Sequence, residues 1–119
     1  MKHHVTFIET SIFTRRIAEL ISDDALAEFQ TEIAQNPEKG PVIEGTGGLR
    51  KVRWNLKGKG KSGGIRIMYL LLQIHDVIHL VFVFAKSESD NLAADEKKQL
   101  KKIVEAIKRE YENEKRRVC

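Results

Sequence analysis

Positive charge is the chemistry this sequence concentrates. Lys51 and Arg53 stand two apart in an alternating run, Arg66 stands early in a second, apolar run, and Lys86 closes a third. Residues two apart on a strand share a face, so Lys51 and Arg53 project together. If the runs 65–72 and 77–85 form the two arms of a meander, Arg66 and Lys86 meet at one end of it, and the run with Lys51 and Arg53 can join them there. Apart from Asp76, Arg66 and Lys86 are the only charges between Ile65 and Lys86. Cations gathered in this way suit phosphate: a guanidinium bridges two of its oxygens and an ammonium meets it as a point charge. Two readings stand on these residues alone, a phosphate-holding site and strand-end cations that merely reach solvent over apolar neighbours.

The wider charge pattern favours a polyanion. Residues 1–44 hold four basic and eight acidic side chains, residues 45–75 hold seven basic and no acidic, and residues 76–119 hold ten and nine. The central segment adds Arg50, Lys57, Lys59 and Lys61 to the cations already named, with no carboxylate among them. An electrostatic footprint for nucleic acid has this form; a solvated basic loop is the plainer alternative.

Other chemistries fit poorly. Gly58-Lys59-Gly60-Lys61-Ser62-Gly63 matches G-x-G-x-x-G, and Gly60-Lys61-Ser62 resembles the end of a P-loop. Both motifs must open a helix whose N-terminus holds phosphate, whereas here a strand-like run begins at Ile65. The four histidines, His3, His4, His75 and His79, have no cysteine or suitably spaced carboxylate beside them, so no metal or other cofactor is expected. No serine or cysteine lies in a recognisable nucleophile setting. Trp54 and Tyr69 are isolated aromatics, expected to pack and not to stack bases.

The elements that must place these cations can be read from periodicity. Val5 to Ile8 alternates as a strand. Thr10 or Ser11 can cap a helix with an apolar stripe of Ile12, Phe13, Ile17, Leu20 and Ile21, and Ser22 or Asp23 a second with Leu26, Phe29 and Ile33 on one side. Asn36-Pro37 and Gly40-Pro41 stop it. After Gly45-Thr46-Gly47-Gly48, residues 49–55 alternate, with Arg50, Val52 and Trp54 against Lys51 and Arg53. The runs 65–72 and 77–85, joined by a turn at 73–76, are apolar on both faces and so must be covered on both, by the helical hairpin and by a C-terminal helix. That helix starts near 92–95 and buries Leu100, Ile103, Val104, Ile107 and Tyr111, with a tail at 115–119 expected to fray. The order is β-α-α-β-β-β-α, an α+β class. With 119 residues, 41% of them apolar, a single domain over 1–119 is expected. No run is long and apolar enough to span a membrane, no signal-peptide pattern opens the sequence, and the one cysteine is Cys119. A cytoplasmic protein without internal disulfides is expected.

The stretches Val42-Ile43-Glu44-Gly45-Thr46-Gly47-Gly48-Leu49-Arg50-Lys51-Val52-Arg53, Gly58 to Tyr69 and Phe84-Ala85-Lys86-Ser87-Glu88 resemble the toxin half of HigB/HigA-type modules in the RelE superfamily. The likeness covers nearly the whole chain, and the element order agrees with it. It implies the RelE fold, a small mainly antiparallel sheet between a helical hairpin and a C-terminal helix. It also implies the toxin of a type II toxin-antitoxin module, a ribosome-dependent endoribonuclease that cuts messenger RNA in the A site of the 70S ribosome. The implied partners are a HigA-like helix-turn-helix antitoxin, messenger RNA on the ribosome, and operator DNA reached only through the antitoxin complex. Carried over by residue, the paired cations are Lys51 and Arg53, the phosphate-clamping arginine is Arg66, and the basic residue after the last strand is Lys86. The sequence departs from the pattern at Ser87 and Ser89, where relatives have arginines, and at Ala93, where some have tyrosine.

Metal-independent cleavage by a 2′-hydroxyl needs one proton taken, added negative charge offset, and the 5′-oxygen protonated. Arg66 is the expected clamp, with Arg53 beside it. Crowding by like charge makes an ammonium readier to release a proton, so Lys51 is the expected base and Lys86 the acid or a second clamp, the two being interchangeable. Arg50, Lys57, Lys59 and Lys61 are expected to grip messenger or ribosomal phosphates in a salt-dependent way. A non-catalytic RNA- or ribosome-binding module, or a basic domain that receives an acidic protein segment, would use the same cations without cutting.

Overall fold

The computed structural model describes residues 5–55, 64–85 and 92–118, the side chains of the last five excepted. The chain runs β1 (Thr6–Glu9), α1 (Ser11–Leu20), α2 (Asp23–Gln35), β2 (Arg50–Trp54), β3 (Ile65–Leu72), a 3-10 turn (Gln73–His75), β4 (Val77–Ala85) and α3 (Ala94–Val118). Thr10 and Ser22 are the caps: Phe13 N donates to Thr10 Oγ1 and Ala25 N to Ser22 Oγ, each at 3.1 Å. α3 opens differently, with Ala93 N donating to Glu96 Oε1 at 2.9 Å, the return half of a capping box. The segment from Lys115, expected to fray, is helical through Val118. Its lysine and arginines are good helix formers, and an established helix extends at little cost.

The sheet order is β1-β4-β3-β2, with β1 parallel to β4 and the other pairs antiparallel. Strand alternation sends two sets of side chains to two faces. Val52, Ile65, Ile67, Tyr69, Ile78, Leu80 and Val83 pack on Phe13, Ile17, Phe29 and Ile33 of the helical hairpin. Leu49, Met68, Leu70, Val81 and Phe84 pack on Leu100 and Val104 of α3. The architecture is thus three layers, and the two-faced apolar character of β3 and β4 is the sequence property that requires them. Full burial of one such side chain, Phe29 for example, contributes roughly 1.5–3 kcal/mol.

Two local arrangements fix the edges of the sheet. Met68 pairs with Phe82 but Tyr69 with Leu80, so Val81 is an extra residue on β4, a bulge. Past the end of β1, α1 takes over the β4 edge: Thr10 N donates to Leu80 O at 3.0 Å, Thr10 Oγ1 to Val81 O at 2.7 Å and Arg16 Nε to Val83 O at 2.7 Å. At the other edge, buried Tyr69 donates its hydroxyl to Pro37 O at 2.7 Å and accepts Gly40 N at 3.0 Å. Arg50 Nη1 donates to Gly40 O at 2.7 Å, and Lys51 N to Pro41 O at 3.1 Å. A Cβ at residue 40 would lie 2.7 Å from Lys51 O, so this approach of the two backbones requires glycine.

Candidate functional site

On β2, Lys51 and Arg53 point to the α3 face, because their partners across the ladder are Met68 and Arg66. Arg66 is flanked on its other side by Phe84 of β4. The row Arg53–Arg66–Phe84 therefore crosses three strands, with Lys51 one step along β2, roughly 7 Å away. Arg66 is only 4% exposed, while Lys51 is half-buried and Arg53 exposed. A guanidinium this buried, beside Phe84 and with a second arginine directly across the ladder, carries a cost, since like charges opposite one another repel and burial penalises charge. The reading in which Arg66 merely reaches solvent at a strand end does not describe it.

Gly64 lies beside this site. A Cβ there would meet Arg66 Nη1 at 3.6 Å, an ordinary contact, and crowd Asn55 Oδ1 at 3.1 Å, so the guanidinium reaches back to the ends of β2 and β3. No sequence signal pointed to that placement, since Gly64 reads as the last of a glycine-lysine stretch.

Lys86, Lys57, Lys59 and Lys61 lie outside the described residues. Arg50 is not brought together with Lys51, Arg53 and Arg66. It lies on the opposite face with Val52 and Trp54, where its guanidinium serves the carbonyls of Gly40 and, at 3.3 Å, Glu38. Trp54 packs edge-on against Phe29 with ring centroids 5.5 Å apart, and Tyr69 is buried, so both aromatics are structural. Burial pushes the Tyr69 phenol above its ordinary value, which keeps it a donor to Pro37.

His79 shares the α3 face but pairs with Leu70, four residues along β3 from Arg66, about 13 Å away. Its Nε2 lies 3.0 Å from Tyr111 Oη, and His75 stacks on the same tyrosine at 4.5 Å between centroids. Burial holds the His79 imidazole below its ordinary value, partly opposed by Glu110. This is a packed histidine under α3, away from the cationic row. Among the described residues no group of three or more histidine, cysteine and carboxylate side chains could hold a metal ion, and no helix is long and apolar enough to cross a membrane. Ala93, one of the noted departures, stands at the N-terminus of α3 with its N–H on Glu96 Oε1.

Two comparisons bear on this geometry. The family model for the RelE toxin of the RelE/RelB toxin-antitoxin system matches residues 6–117. Among solved structures, that of an arginine-to-alanine double mutant of the E. coli toxin RelE in the free state is similar. It has a TM-score of 0.53 and 17% identity over 71% of this chain and 86% of that chain. At that identity the likeness speaks for the fold.

Proposed function

The chain belongs to the RelE toxin family, and from that premise we propose that it is a ribosome-dependent endoribonuclease that cuts messenger RNA in the A site and so halts translation. The observation that carries this reading is the cross-ladder pair of Arg53 and buried Arg66, on the face that also holds Lys51. Attack of a 2′-hydroxyl on the neighbouring phosphorus places extra negative charge on the phosphate oxygens. Arg66, held by the strands around it, clamps two of those oxygens, and Arg53 supports it from the solvent side. Lys51 takes the 2′-hydroxyl proton, and Lys86 protonates the departing 5′-oxygen or acts as a second clamp. The step needs no metal, and it leaves a 2′,3′-cyclic phosphate and a 5′-hydroxyl. Lys57, Lys59 and Lys61 hold phosphates outside the cut. A HigA-like helix-turn-helix antitoxin neutralises the protein in the cytoplasm, and operator DNA is reached through that complex.

The test is brief induction of wild type, Lys51→Ala and Arg66→Ala in cells, with messenger 5′ ends mapped. Wild type should give 5′-hydroxyl ends within translated codons, and both variants should lose them while still co-purifying with the antitoxin. An unchanged fragment pattern and growth arrest in both variants would remove these assignments.

A further inference from the structure

We propose that the flank of α3 that faces β2 forms the wall of a groove for the RNA sugar-phosphate backbone beyond the scissile phosphate, with Lys97, Lys101 and Lys108 as its contacts. The inference deepens the nuclease reading and rests on it.

At 100° per residue, Lys97, Lys101 and Lys108 fall on one side of the buried Leu100–Val104 stripe, within an arc of about 40°. The packing identifies that side. A Cβ on Gly47 would lie 3.3 Å from Val104 Cγ1 and 3.9 Å from Lys101 Cγ, and Lys108 Nζ donates to Gly47 O at 2.6 Å. Gly47 and Gly48 lead directly into Leu49 and β2, so the lysines border the strand that carries Lys51 and Arg53 on the same sheet face. The other flank of α3 carries Glu96 and Glu110, and Glu110 acts electrostatically on His79 of β4, which places it on the far side. Glu105 and Glu112 lie about 40° outward of Lys101 and Lys108, each at i+4 from one of them, so they border the outer edge of the lysine stripe.

Among the described residues none of the three lysines lies within ion-pair distance of a carboxylate, and the one partner of Lys108, a carbonyl, leaves its charge uncancelled. By contrast, Lys39 pairs with Glu32 at 2.7 Å, Arg50 serves carbonyls, and Arg16 lies over Phe82 while bonding Val83 O. From Lys97 to Lys108 the helix rises about 16 Å, the length of roughly four to five stacked nucleotides. An acidic protein segment fits less well. The exposed large apolar residues, Ile8, Ile12, Val42 and Ile74, lie on β1, on α1, beside Arg50 and in the 3-10 turn, none of them in the groove. Protein interfaces are built on an apolar centre and are depleted in lysine.

The test measures binding of the full-length protein to a fluorescein-labelled 2′-O-methyl RNA oligonucleotide, which cannot be cut, by anisotropy over a range of salt. A second arm uses ribosomes stalled with an empty A site. Lys97→Gln/Lys101→Gln should lower the salt slope by about 1.4, at about 0.7 for each phosphate left without its lysine, and Lys98→Gln/Lys102→Gln, on the outward face, should leave it unchanged. A loss on the oligonucleotide supports the assignment to messenger RNA, and a loss on ribosomes alone overturns it in favour of ribosomal RNA. Equal losses in both double variants overturn the proposal, as does an unchanged slope in the first. So does lost antitoxin affinity with RNA binding intact, which would give the flank to an acidic protein. If the wild type cuts nothing while the slope difference persists, the nuclease reading fails and the RNA-binding flank stands.

Discussion

Arg66→Met separates what the buried arginine does for RNA from what it costs the fold. Cross-ladder partners have Cβ atoms about 5 Å apart, and the guanidinium groups of Arg53 and Arg66 can spread to roughly 6 Å. Two unit charges at that distance repel by about 0.7 kcal/mol in water and about 3 kcal/mol at an effective dielectric of 20. Because Arg53 is exposed, the effect should lie near the lower figure, about 1 kcal/mol. Methionine fills similar space beside Met68 and Phe84 without that repulsion or the desolvation of a charge. Methionine also gives up the contacts that the guanidinium makes, so the melting temperature should stay within about 4 °C of wild type for a domain of this size. Cleavage should fall by about 10²–10³-fold, the loss of one well-placed oxyanion donor. Arg66→Lys, which keeps charge but not the fork, should fall between. The assay pairs thermal melting by circular dichroism with single-turnover cleavage of messenger RNA on ribosomes. A variant that melts well below that range and still cuts at the wild-type rate would refute the reasoning on both counts.

Tyr69→Phe leaves Gly40 N without its acceptor and Pro37 O without its donor, and should cost about 1–3 kcal/mol in urea unfolding. Gly40→Ala drives a methyl group against the Lys51 carbonyl and should cost about 1–3 kcal/mol as an overpacked contact; an unchanged unfolding midpoint would mean that the 37–41 segment yields freely. The imidazole of His79 is held below its ordinary value in the fold, so the unfolded chain binds that proton first as pH falls. Stability contributed by neutral His79 is complete above about pH 6.5 and declines as pH falls below it, toward the lower folded value. His79→Gln should lose less stability than wild type between pH 7.5 and pH 5, and parallel losses in the two proteins would count against that assignment.

Much of the scaffold was legible because local chemistry dictated it. Thr10 and Ser22 could cap, Asn36-Pro37 could not continue a helix, and strands apolar on both faces needed covering layers. Alternation also separated Arg50 from Lys51 and Arg53; grouping it with the RNA contacts by charge overrode a face assignment already readable from residues 50–54. The parallel pairing of β1 with β4 was not legible, because a period of two specifies a face and says nothing about which strand lies alongside. The same limit hid the α3 lysines. Their spacing shows one flank of a helix, but only the contact with Gly47 tells which strand that flank borders. Gly64 was hidden for a related reason, since what it lies beside is the end of a side chain two residues on.

The parallel pairing of β1 also has a consequence for synthesis. Thr6 must wait for Val77, and the Thr10 hydroxyl for the Val81 carbonyl 71 residues later. At about 5–20 residues per second, that is an interval of roughly 4–14 s in which the first strand of a nascent chain has no sheet to join. β2 and β3, which bring Arg53 and Arg66 together, are close neighbours in the chain and can meet before then. The cationic row is thus among the earliest parts of the sheet that translation makes possible, and the N-terminal edge among the last.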